Sequence, residues 1–258
     1  MKFSYRLLAF TMALVWGYAA WGPMAGAAPR PKEKEKAAEE KIIDSGSFGV
    51  FQNGHRVGTE TFSIYQSGSG SVIRSEFKTD SATTPAVQNS ELHLTAGGEI
   101  RRYEWKELSP EQAELQVVPN DDFLTQKWRS GPQGKEKEHE QPYLLSLSTS
   151  ILDDYFFIHR EVLAWKFLAI ACKQEKGQVQ CPLKQHTQFA TLNPHEQASA
   201  TVDAEFLGRE TVKLKTGPQD LIKLELKNDA GTWQLWLDEQ FKVMRISVLG
   251  EKTEVERD

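Results

Sequence analysis

Beyond Lys41 the chain alternates apolar and polar side chains in short runs broken by Gly, Asn, Asp and Ser, the pattern of successive β-hairpins. Ile73 and Phe77 share one parity, as do Val212 and Leu214, and Ile222, Leu224 and Leu226. One face of the predicted sheet is therefore apolar and must be covered. Asn53-Gly54 is the clearest turn, because both residues accept the positive φ that a two-residue hairpin demands. Gly68-Ser69-Gly70, Gly97-Gly98, Gly217-Pro218 and Asn228-Asp229-Ala230-Gly231 mark further turns.

Part of this pattern is written twice. The stretch from Val57 to Ile64 matches that from Leu207 to Leu214 as G-x-E-T-apolar-x-apolar. The stretch from Val72 to Lys78 matches that from Leu221 to Lys227 as apolar-I-basic-x-E-apolar-K. Leu92, Leu94 and Arg102 then match Leu235, Leu237 and Arg245 with the same internal spacing. Matches in one order predict a duplicated β-meander, over about residues 45–105 and 200–250. The plainer account is that amphipathic strands draw on few residue types and resemble one another. The repeat makes Glu60 with Arg102, and Glu210 with Arg245, a candidate charge pair in each half, for register rather than catalysis.

Between the halves the period changes. Ser150-Ile151-Leu152-Asp153 resembles a capping box, and Leu152, Tyr155, Phe156, Val162, Leu163, Phe167 and Ile170 recur at helical spacing, which predicts a helix over about 150–171. Phe157, Ile158, Trp165 and Leu168 fall outside that stripe, so the helix is expected to be buried on more than one side or to cover a concave sheet surface. Its five charged residues, Asp153, Asp154, Arg160, Glu161 and Lys166, argue against a membrane span. The polar run from Gly131 to Glu140 reads as an exposed loop.

The head of the chain has a different character. A basic start, Met1 to Arg6, precedes an uncharged apolar run from Leu7 to Ala20 and the small-residue triplet Ala25-Gly26-Ala27, which predicts a cleavable signal peptide over 1–27. An uncleaved anchor is the alternative, and Gly17, Gly22 and Pro23 weaken it by interrupting a longer helix. A charged linker over 28–44 follows, and residues 45–258 are expected to form one β-rich domain. Removing residues 1–27 leaves 231 residues with 29 basic against 36 acidic side chains, a net charge of −7. That balance argues against nucleic acid, or an anionic membrane surface, as the main partner. The expected location is periplasmic or extracellular, with no transmembrane span in the mature chain. Cys172 and Cys181 then read as a structural disulfide, with free thiols as the alternative, since a separation of nine residues is not C-x-x-C spacing.

Candidate chemistry is sparse. The six histidines lack metal-ligand spacing, and no cofactor is expected. His159 alone sits on the apolar helical stripe, where it reads as a core histidine or as a ligand contact, while His186 and His195 are expected to be exposed. Asp121-Asp122 and Asp153-Asp154 are adjacent acids that diverge in strand or helix and form no dyad, the second pair being suited to the field of a helix N-terminus. Gly68-Ser69-Gly70 is not a nucleophile elbow, and the run from Gly131 to Lys135 has Arg129 and Glu136 where a phosphate loop needs Gly and Ser or Thr. Among the tryptophans Trp105, Trp128, Trp165, Trp233 and Trp236, most are expected in the core, and any lining a cavity would suit an apolar ligand.

The export signal, the doubled meander and the segment Leu152-Asp153-Asp154-Tyr155-Phe156-Phe157 resemble uncharacterised exported β-rich proteins of bacteria known only as domains of unknown function. The architecture this resemblance implies is similar to the half-barrel of the lipoprotein-localisation carriers, a curved antiparallel sheet wrapped around helices and able to hold acyl chains. It covers roughly residues 45–250 and carries over no active-site residue. The expected fold is thus mainly β, a curved antiparallel sheet or half-barrel with one covering α-helix. The expected function is non-enzymatic binding of an apolar or lipid-like ligand between sheet and helix, with Tyr155, Phe156, His159 and Trp165 as ligand contacts. The alternative is a structural or protein-interaction module of the cell envelope with an envelope protein as partner. A hydrolase using Asp122 or Asp154 is the remaining and weakest reading.

Overall fold

Alternation of side chains on so many short runs resolves into one large sheet. The computed structural model describes residues 40–258 except 81–84, 111, 132–136 and 176–177. The signal peptide and residues 28–39 of the linker lie outside the described residues. The first half comprises β1 (Lys41–Gln52), β2 (His55–Ser67), β3 (Gly70–Thr79), β4 (Val87–Thr95), β5 (Ile100–Ser109), β6 (Ala113–Asn120), β7 (Phe123–Ser130) and β8 (Lys137–Tyr143). A two-residue strand β9 (Ser150–Ile151) leads to the helix α1 (Ile158–Ala171) and a small hairpin, β10 (Lys173–Glu175) and β11 (Gln178–Gln180). The second half comprises β12 (His186–Asn193), β13 (Ala198–Leu214), β14 (Gly217–Asn228), β15 (Gly231–Leu237), β16 (Val243–Leu249) and β17 (Thr253–Arg257).

Fifteen of these strands form a single open, curved sheet in the order β8-β7-β6-β5-β4-β3-β2-β1-β17-β16-β15-β14-β13-β12-β9. Neighbours are antiparallel except β9, which runs parallel to β12. Each half is a meander, and the halves join where β1 pairs with β17, with Val50 opposite Val255. The core lies on the face that carries α1, where Phe48, Ile64, Tyr103, Val255, Phe156, Ile158 and Phe167 are all at most 1% exposed. The fold class read from the sequence is the one observed, and the segment of interest does cover the sheet.

Several boundaries differ from expectation. The linker ends early, because Lys41 to Asp44 already belongs to β1 and Asp44 is buried. The helix starts at Ile158 rather than Ser150, since Ser150–Ile151 pairs with Thr191 and Leu192 as a strand. The expected capping box therefore caps nothing. Lys137 to Glu140, assigned to a loop, lies in the edge strand β8.

The matched segments fall on β2 to β5 and β13 to β16 in the same order, and their registers agree only in part. Leu92 opposite Tyr103 corresponds to Leu235 opposite Ile246, and His93 opposite Arg102 to Trp236 opposite Arg245. In the first hairpins, however, Glu60 faces Phe77 while Glu210 faces Leu221 and not Leu226. An odd shift sends side chains to the opposite face of a sheet. The matched glycines show why the two strands differ. A Cβ on Gly58 would stand 2.6 Å from the Phe77 ring, whereas Gly208 sits at a bulge after Phe206 with φ +106°. Glu60 is thus on the inner face and Glu210 on the outer one. Neither candidate pair makes a direct ion pair among the described residues: Arg102 pairs with Glu91 and Glu104, Arg245 with Glu254, and Glu210 with Lys223.

Candidate functional site

The helix is held in the sheet by buried charges, beginning at its first turn. Glu60 shares its parity in β2 with Phe62 and Ile64, so it points into the core and is fully buried. Its carboxylate accepts the backbone N–H of Phe157 at 2.7 Å and of Ile158 at 3.3 Å, and the Ser75 hydroxyl at 2.7 Å. These are the donors that a helix N-terminus leaves open, met here by a residue from a distant strand. Burial pushes the Glu60 carboxyl up to about 7, against the three hydrogen bonds that hold it down.

Beside this cap lies a network around Asp153. The Tyr103 hydroxyl donates to its carboxylate, and Nδ1 of His195 stands 2.7 Å from Oδ2. Burial raises the Asp153 carboxyl, yet His195 and Tyr103 outweigh it and the net direction is down. Contrary to expectation, His195 is largely enclosed. Its ring meets Trp105, Trp128 and Tyr155 edge-on, with centroids 4.4, 6.1 and 4.7 Å away. Asp153 serves this network rather than the field of a helix start. An aspartate–histidine pair has the parts of a general base, but the far nitrogen of His195 is buried and without a hydrogen-bond partner. The arrangement instead fastens the β12–β13 turn across the inner face, helped by Gln126, whose side chain donates to the Pro194 carbonyl at 2.8 Å.

A second anchor lies one helical turn on. Arg257 grips Asp44 with two hydrogen bonds of 3.1 and 2.7 Å and donates to Glu161 at 2.9 Å. Lys242 adds a contact of 2.9 Å to Asp44, and Glu161 accepts the Val243 N–H at 2.8 Å. Burial raises Asp44, but Arg257, the Glu161 carboxyl and Lys242 together bring it down to about 2. Burial and the neighbouring Asp44 push the Glu161 carboxyl well above the ordinary carboxylate range. One cluster thereby links β1, β16, β17 and α1.

The four ligand residues expected from the sequence part company here. Phe156 and His159 are sealed in the core at 0% and 1% exposure, and His159 has both ring nitrogens unpartnered against the Tyr103 and Phe156 rings. Burial lowers the His159 imidazole to about 4. Tyr155 is exposed and rests on His195. Trp165 lines a cleft. This cleft of about 550 Å³ lies between the second half of α1, the start of β1 and the β15–β16 turn, and its apolar walls are Ile43, Trp165, Leu168, Ala169, Cys172 and Phe241. The Trp165 indole N–H donates to the Phe241 carbonyl at 2.6 Å, which fixes the ring as one wall. The disulfide between Cys172 and Cys181 closes the β10–β11 hairpin at the same end.

At the other end of the helix a second cleft of about 570 Å³ runs past Leu152, Phe157 and Trp233, with Asp154, Glu196 and Glu251 in its walls. Arg160 also lines it, 2% exposed, its charge met by Asp154 at 3.2 Å and its guanidinium over the Trp233 and Phe157 rings. Among the described residues no group of three His, Cys, Asp or Glu is placed to hold a metal ion, and no helix is long and apolar enough to cross a membrane.

The chain matches no family model, no curated protein and no solved structure.

Proposed function

We propose that this chain is a non-enzymatic exported protein that binds an apolar or lipid-like ligand between α1 and the curved sheet. The cleft at Trp165 carries the reading: it has the volume of a small-molecule site, roughly 300–1,000 Å³, and it is walled by aliphatic and aromatic side chains. A disulfide closing a short hairpin suits an oxidising compartment outside the cytoplasm. Mass spectrometry of lipids retained by the purified protein, with thermal shifts on adding fatty acids or phospholipids, tests it. Retained lipid and a raised midpoint are expected, and their joint absence sinks the proposal.

One observation favours a structural or interaction module of the cell envelope instead. The space directly under α1 is filled, with Phe156, Ile158 and Phe167 all at 0% exposure, and the two clefts described lie at the ends of the helix.

A further inference from the structure

We infer that the ligand seated at Trp165 is an amphiphile with an anionic head group, whose acid is held by Lys173 at the mouth of the cleft. The inference rests on the binding role proposed above and specifies its chemistry. Among the described residues, the cleft is lined apart from its six apolar walls by Gln240 and Lys173, with no carboxylate. That absence runs against the composition of the chain, which has 36 acidic side chains to 31 basic ones. It also contrasts with the cleft at the other end of the helix, where Asp154, Glu196 and Glu251 face a single arginine already paired with one of them.

Lys173 is exposed and makes no ion pair among the described residues. The neighbouring Lys242 is committed to Asp44 at 2.9 Å, and the Trp165 indole N–H to the Phe241 carbonyl, so neither is spare for a ligand. Among the described residues, Lys173 is therefore the charge left uncommitted at this mouth. An acyl chain lying along Ile43, Trp165 and Leu168 would bring a terminal carboxylate to the solvent edge, where an ammonium on a flexible stem can meet it. A lysine just past a helix C-terminus also has a plain role, answering the negative end of the helix dipole. That role acts on stability and is blind to the head group of a ligand, so head-group selectivity separates the two.

The test is calorimetric titration of the full mature chain with dodecanoate, dodecanol and dodecyltrimethylammonium, each kept monomeric. Dodecanoate is expected to bind about five- to tenfold more tightly than dodecanol, as one partly screened charge contact allows, and the advantage should shrink at high salt. Lys173→Gln should erase the advantage and leave dodecanol affinity unchanged. Equal binding of dodecanoate and dodecanol, or an advantage that survives the substitution, overturns the inference while the binding role stands. If none of the three binds, the binding role falls with it.

Discussion

Glu60 and Phe157 stand 97 residues apart in the chain, yet the backbone N–H of Phe157 donates to the Glu60 carboxylate at 2.7 Å. A strand of the first half thus caps the helix that precedes the second. Glu60→Ala leaves two helix N–H groups without an acceptor in a dry site and leaves the Ser75 hydroxyl only the Thr61 carbonyl at 3.4 Å, and is expected to cost about 2–4 kcal/mol in urea unfolding. Glu60→Gln keeps one acceptor oxygen and should cost less. Equal stability of the alanine variant and the parent would show that the cap contributes nothing.

His159 gives the protein an acid-sensitive limb. Its folded value of about 4 lies below the ordinary 6.5, so between those values the unfolded chain holds the extra proton and stability falls as pH drops, by up to about 3 kcal/mol. Glu60 acts in the opposite sense: raised from 4.5 to about 7, it stabilises fully below 4.5 and loses that contribution as pH rises through 7. The windows overlap, so the wild-type slope is a difference of the two. His159→Leu removes two unpartnered buried nitrogens and should be at least as stable at neutral pH. Its stability should also decline less on acidification, and identical acid limbs in chemical denaturation would refute the assignment.

The Asp44 cluster is expected to be unforgiving of single changes. Asp44→Asn takes the bidentate partner from Arg257 and should cost about 3–5 kcal/mol, because the buried guanidinium then keeps Glu161 as its one carboxyl partner. Arg257→Gln should cost a similar amount, and the double variant clearly less than the sum. Strict additivity in that double-mutant cycle would mean the two side chains do not act together.

Reduction of Cys172–Cys181 should lower stability by about 2–3 kcal/mol, the scale the chain-entropy argument gives for a loop of this length. Hydrogen exchange checks where the effect falls: amides in the last turn of α1 and in β10 should lose protection, while those of β2 to β5 should not.

The sequence made the sheet legible because alternation reports directly on which face is buried. It also located the helix, since Leu163 and Phe167 recur at its spacing whatever starts it. Where α1 begins was hidden, because the residue that caps it is not local. The Ser150–Asp153 pattern offered a false start that pairing with β12 overrode. Register was half legible: β4–β5 and β15–β16 agree residue for residue, but the bulge at Gly208 is invisible to matching and turns Glu210 outward. Of the anchoring charges, Glu60 betrays itself by sharing parity with Phe62 and Ile64, whereas Asp44 and Arg257 sit in the first and last strands of the sheet and meet across over two hundred positions of chain. The cleft at Trp165 was beyond reach for the same reason, since its walls come from three remote parts of the chain.

The seam between β1 and β17 sets the order in which this molecule can be made. Each meander grows by adding neighbours in sequence, but the middle of the sheet is closed by residues from opposite ends of the described chain, Val50 against Val255. Two half-sheets, each with a naked centre edge and a greasy face, must therefore persist until they zip together around the helix. Folding is expected to be slow for a protein of this size, and exposed to aggregation during that interval.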